Sequence, residues 1–165
     1  MEPEIPKAAD HMKAPEDVES LEELFLCGTH LEQYRHATFR PADYYLEGLK
    51  RDPEDIRLNN AYGKLIYGKG RFEESIGFFK RAIKRSVRFN PNPYDCKPYY
   101  NLGLALVKTG DLAGAYDAFY KATWDGNFRG RGFYELALLE ARQGNFEKAL
   151  GFIEESLNNG LHNYK

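Results

Sequence analysis

The chain has 165 residues, 42% of them hydrophobic, and a formal charge of −2 at pH 7. That is room for one ordinary domain with a continuous core, and the near-neutral balance carries no whole-molecule signature of nucleic-acid binding. No apolar run approaches the roughly 18 residues of a membrane helix. The two cysteines, Cys27 and Cys96, form neither a metal or redox motif nor a disulfide framework, and both are expected to be reduced and partly buried.

The start, MEPEIPKAAD, is acidic and broken by prolines, with no apolar signal stretch. A cytoplasmic location is the default expectation. Residues 1–15 read as a flexible arm, and 16–165 as a single helical domain. Charge is uneven along the chain. Residues 1–23 hold eight acids and two lysines, whereas 64–88 hold eight basic residues and two acids. Two solvated helix faces of opposite sign account for this.

The stretch VESLEELFLCGTHLEQYRHA is helical in pattern, and RPADYYLEGLKRDP reads as its partner helix, closed by Pro53. From residue 55 onward an internal repeat dominates. Aligning Gly63, Gly103 and Ala137 brings Gly70, Gly110 and Gly144 into register, then Ser75, Ala115 and Ala149, then Phe79, Phe119 and Ile153. Gly103 to Ala137 spans 34 residues and Gly63 to Gly103 spans 40, the surplus falling in the loop RFNPNPYD. Gly48 lies 34 positions before Ala82, which places a further unit at the front. The predicted units are about 16–53, 55–88, 96–127 and 130–161, with a loop insertion at 88–95.

Each unit reads as two helices. The expected spans are Asp55–Tyr67 and Phe72–Arg85, Lys97–Lys108 and Leu112–Thr123, then Arg131–Gln143 and Phe146–Asn158. In Phe72–Arg85, the positions Phe72, Ser75, Ile76, Phe79, Ala82 and Ile83 recur at three- and four-residue spacing and form one stripe. Asp111 and Asn145 stand where N-caps are needed, and Pro98 suits a first helical turn. Gly63 and Gly103 are mid-helix glycines, each costing about 1 kcal/mol relative to alanine. That cost makes sense where a partner helix must come close. Tyr62, Leu102 and Leu136 should then fill the seam. Gly70, Gly110 and Gly144 should permit the turn between helices.

Gly or Ala, then a turn glycine, then Ala–x–x–x–Phe–x–x–Ala on a 34-residue period resembles the tetratricopeptide repeat. Three units match over Asp55–Leu161 and a degenerate fourth precedes them, so the resemblance implies an all-α solenoid of about four helix-turn-helix units. It also implies a right-handed superhelix whose first helices line a concave, peptide-binding face. A narrower resemblance rests on LEQYRHATFRPADYYLEGLKRDP, NPNPYDCKPYYNLGLAL and AYDAFYKATWDGNF. These look like the repeat region of large bacterial proteins in which a β-sandwich domain, suspected of a carbohydrate link, precedes the repeats. That resemblance implies a support role beside a neighbouring domain.

The groove-binding candidates are Asn60, Lys64, Tyr67, Tyr100, Asn101, Lys108, Arg131 and Tyr134, with Asn59 and Glu135 beside them. Aromatic rings give contact area, and Asn and Arg supply hydrogen bonds. Modules that grip a chaperone's C-terminal carboxylate use lysine, arginine and asparagine at such places. Asn101 and Arg131 fit that set, but Asn60 and Lys64 do not follow its order and Glu135 would repel the carboxylate, so that subclass is rejected. The basic run Lys80, Arg81, Lys84, Arg85 and Arg88 ends a second helix, where the helix dipole favours cations, and no nucleic-acid role is read from it.

His30 and Tyr34 can share a helix face, but His30 and His36 are poorly spaced for a metal. The loop NPNPYDCKP can form a groove wall or equally be a spacer with no role, and Trp124 is expected to fill a gap between repeats. No phosphate loop, nucleophile elbow or zinc-protease helix occurs. The expected function is a scaffold that binds a protein or peptide segment, with a neighbouring domain as the alternative partner. No catalysis, cofactor, metal, nucleic acid or membrane is expected. A weak homodimer through an end helix is a further expectation.

Overall fold

The computed structural model describes residues 11–34 and 36–160. Among these there are eight α-helices: α1 Leu21–Gln33, α2 Pro41–Arg51, α3 Ile56–Tyr67, α4 Phe72–Ser86, α5 Lys97–Thr109, α6 Leu112–Ala122, α7 Gly126–Arg142 and α8 Phe146–Asn159. They pack as four hairpins, α1/α2, α3/α4, α5/α6 and α7/α8, and each hairpin stacks on the next through α2/α3, α4/α5 and α6/α7. The first helices also touch one another, α1 to α3, α3 to α5 and α5 to α7, so they line one side of the array. The architecture is the expected all-α repeat solenoid.

Local chemistry sets the helix starts. Ser20 Oγ accepts from the Glu23 amide at 3.1 Å, Asp55 Oδ1 from Leu58 at 2.8 Å, and Asp111 Oδ1 from Gly114 at 2.9 Å. Asn145 departs from expectation: its side chain makes no capping bond. Its Nδ2 instead donates to Glu140 Oε2 at 2.7 Å, drawn by a buried carboxylate that also takes a bond from Lys148. Gly70, Gly110 and Gly144 all have φ near +80° (79°, 89° and 81°). This left-handed conformation is open to glycine at little cost, and it reverses the chain within the hairpins α3/α4, α5/α6 and α7/α8.

The mid-helix glycines sit at the closest approaches. A Cβ on Gly63 would stand 2.7 Å from the Phe79 ring, and one on Gly103 2.5 Å from the Phe119 ring. The front unit repeats the device, with Gly28 set where a Cβ would collide with the Tyr45 ring. Tyr62, Leu102 and Leu136 are buried in the seams, and the central core gathers Phe79, Leu106, Phe119, Leu136 and Leu139.

α7 begins at Gly126, five residues before the expected Arg131. The glycines of TWDGNFRGRGF look like loop residues, but Gly130 and Gly132 are packing residues. A Cβ on Gly132 would meet Thr123 Cγ2 at 2.8 Å and the Phe119 carbonyl at 3.0 Å, and one on Gly130 the Ser156 carbonyl at 3.3 Å. Asp125 starts the helix, its Oδ1 accepting from the Asn127 amide at 2.9 Å. Trp124 does not fill a gap. It is 53% exposed, with the Lys121 ammonium over its ring at 3.6 Å.

Residues 1–10 of the expected arm lie outside the described residues. Met12 packs against the cluster of Val18, Leu24, Leu31 and Tyr44, and the Tyr44 hydroxyl donates to the Lys13 carbonyl at 2.6 Å. Arg51 gathers the following turn: its guanidinium donates to the Val18 carbonyl at 2.6 Å and to the Pro15 and Glu16 carbonyls at 3.3 Å.

Candidate functional site

The first helices enclose a concave cavity of about 330 Å³. α1 supplies Phe25, Thr29 and Glu32, α2 supplies Tyr45, and α3 supplies Asn60, Ala61 and Lys64. Lys97, Tyr100 and Asn101 come from α5, and Phe128 and Arg131 from α7. Five of the eight sequence candidates therefore meet here: Asn60, Lys64, Tyr100, Asn101 and Arg131.

Tyr67, Lys108 and Tyr134 do not line it. Tyr67 and Lys108 each lie seven residues beyond the asparagine of their own helix, about 10 Å along the axis. Tyr67 is half-buried against the core, its ring 5.2 Å from Phe72. Tyr134 and Lys108 are exposed outside the cavity. Asn59 serves the fold: its Nδ2 donates to the Pro53 and Asp55 carbonyls at 2.9 and 2.8 Å, and its Oδ1 accepts from Arg81.

The floor is polar and satisfied. Asn101 Nδ2 donates to Asn60 Oδ1 at 2.9 Å. Glu32 accepts from the Tyr45 hydroxyl at 2.7 Å and from the Lys64 ammonium at 3.3 Å. The Tyr100 hydroxyl donates to Glu135 Oε1 at 3.2 Å, and its ring lies 5.5 Å from Phe128. Burial, then the nearby Glu135 charge, pushes the Tyr100 phenol up to about 12, so it remains a neutral donor. Burial likewise raises the Glu135 carboxyl, partly offset by the Tyr100 hydrogen bond.

Three cations rim the cavity. Lys64 is paired with Glu32, and Lys97 stands 3.7 Å from Asp95. Arg131 is exposed and has no ion pair among the described residues. Sequence reasoning missed Phe25, Glu32, Tyr45, Lys97 and Phe128 as lining residues. Phe25, Glu32 and Tyr45 belong to the front unit, whose repeat register is obscured. Lys97 and Phe128 lie at helix starts placed by the capping carboxylate of Asp125, which also accepts from the Cys96 amide at 3.0 Å. A second hollow of about 470 Å³ shares Lys97, Phe128 and Arg131 and adds Tyr94 and Asp95, so the NPNPYD loop walls one end.

A family model described as tetratricopeptide repeat matches residues 97–123, which are α5 and α6. Solved structures of MamA are among those it resembles. One MamA crystal structure matches with a TM-score of 0.72 at 17% identity, over 87% of this chain and 80% of that one. A second matches at 0.69 and 16%, over 85% and 73%. MamA from Desulfovibrio magneticus RS-1, from residue 41 to its end, matches at 0.65 and 17%, over 88% and 78%. The fold is a tetratricopeptide-type solenoid. The narrower resemblance, to repeats that follow a β-sandwich domain, is overturned. The described residues contain no strand, and the chain spans 80% and 73% of two MamA chains that it matches.

Other candidate chemistry finds no site. The His30 and Tyr34 rings do meet, centroids 4.9 Å apart. His36 Nδ1 accepts from the Thr38 and Phe39 amides at 3.1 and 3.2 Å, so that ring shapes the turn before α2. Among the described residues no group of three or more His, Cys, Asp or Glu is placed to hold a metal, and no helix is long and apolar enough to cross a membrane. Cys27 and Cys96 are free thiols, and burial raises both pKa values. In the basic run, Arg81 lies 4.2 Å over the Phe78 ring, Arg88 5.3 Å over the Phe89 ring, and Arg85 pairs with Glu54 at 3.8 Å, so three of its cations already have partners.

Proposed function

We infer that this chain is a binding scaffold that takes an extended protein segment in the concave cavity of α1, α3, α5 and α7. The observation that carries the reading is the composition of that wall. Phe25 and Tyr100, both half-buried, offer ring surface around the Asn60–Asn101 pair, with the buried Tyr45 and Phe128 rings packed behind them. Lys64, Lys97 and Arg131 outnumber Glu32 at its rim. Aromatic area with a few fixed polar groups is what recognition of a segment requires. The positive rim selects a segment with a carboxylate side chain next to an apolar one, because like charge at a desolvated contact is excluded. The likeness to MamA supports the fold that carries the groove.

The test is selection from a random peptide library displayed on phage, with the full chain and its Lys97→Glu/Arg131→Glu variant as baits. The wild type should enrich sequences with Asp or Glu beside Phe, Tyr, Leu or Ile, and the variant should lose them. No enrichment, or the same sequences from both baits, would count against the groove.

A further inference from the structure

The second helices carry one recurring apolar stripe, and among the described residues no further helix lies over it in α8. Phe146, Leu150, Ile153 and Leu157 are spaced four, three and four residues apart, which puts them on one helix face. Phe146, Leu150 and Leu157 are 71%, 61% and 65% exposed. By the glycine register, Ile153 stands where α4 has Phe79 and α6 has Phe119, which are 1% and 0% exposed. Leu150 stands where those helices have Ile76 and Tyr116, both packed against the central core. α4 is followed by α5 and α6 by α7, each lying along it. The last unit thus keeps the apolar character of an interior unit, where a solvent-facing end unit would carry polar residues.

The edges of the stripe differ. On one side Ala149 and Ser156 are buried, with Ser156 Oγ donating to the Gly130 carbonyl of α7 at 2.8 Å. On the other, Glu147 and Glu154 are exposed. We propose that this face docks an amphipathic helix of another polypeptide, with matching apolar spacing and lysine or arginine beside its stripe. A second copy is disfavoured by charge: α8 laid antiparallel on α8 would set Glu147 of one copy beside Glu154 of the other. End-to-end stacking is also poor, because α1 presents Glu23 and His30 where α5 has buried Pro98 and Ala105.

The experiment uses the full chain and two synthetic helical peptides with leucines at the same spacing, one flanked by lysines and one by glutamates. Fluorescence anisotropy should show the lysine peptide binding at least about tenfold tighter. Leu150→Ser/Leu157→Ser should weaken it by at least about tenfold with the circular dichroism and melting curve unchanged. Glu147→Lys/Glu154→Lys should invert the preference between the peptides. Absence of saturable binding by the lysine peptide, or a preference that does not invert, overturns the proposal. So does sedimentation showing a wild-type dimer that Leu150→Ser/Leu157→Ser dissolves, which would assign the face to a second copy.

Discussion

Asn101 donates its side-chain amide to the side-chain oxygen of Asn60 across 2.9 Å, tying α5 to α3 at the floor of the concave cavity. Asn60 is buried, so this bond supplies its carbonyl oxygen with a donor. Asn101→Ala should therefore destabilise the fold by about 1 kcal/mol. Arg131, exposed at the rim, should change stability by less than about 0.5 kcal/mol when replaced by alanine. Urea melts of both variants separate support from contact, and equal losses would contradict the assignment.

The glycines make an opposite pair of expectations. Gly103→Ala drives a methyl to 2.5 Å from the Phe119 ring and should cost about 1–3 kcal/mol. Gly151→Ala meets nothing within 4 Å on an open helix face and should stabilise by about 0.5–1 kcal/mol. Thermal melts of the two variants should move in opposite directions.

Arg51 holds the turn before α1 through the carbonyls of Pro15, Glu16 and Val18. Arg51→Ala should speed amide exchange in residues 15–20 and leave the α5–α6 core protected. Hydrogen exchange by mass spectrometry reads this directly. Unchanged exchange in 15–20 would show that Met12 and Val18 hold the segment without the arginine.

Glu135 has a carboxyl raised by burial, so its ionised form opposes folding. That cost is absent well below the ordinary carboxylate pKa and develops as pH rises through the ordinary value to the raised one. Glu135→Gln keeps an acceptor for Tyr100 and removes the charge. It should be more stable than wild type at pH 7, and the difference should vanish as pH falls well below the ordinary carboxylate pKa. A difference that does not change with pH would contradict this.

The fold was legible because its constraints are local and repeated. Gly70, Gly110 and Gly144 mark a backbone conformation, and Gly63 and Gly103 mark contacts with a ring sixteen residues on, so both leave a fixed spacing. In the front unit Gly28 meets Tyr45 at seventeen, one residue longer, which hides the register. The start of α7 was illegible because Gly130 and Gly132 look the same in sequence whether they loosen a loop or admit a neighbouring backbone. Half-turn choices in the site were equally hidden. Asn59 and Asn60 are adjacent and alike, and only packing sends one to Arg81 and the other to Asn101.

The most direct test of the groove reading is a backbone amide NMR titration of the full chain with an acidic peptide taken from the library selection. The account predicts shifts clustered at Thr29, Ala61, Lys64, Asn101, Phe128 and Arg131, with α4 and α6 unmoved. Saturable shifts confined to α4, α6 or α8 would contradict it.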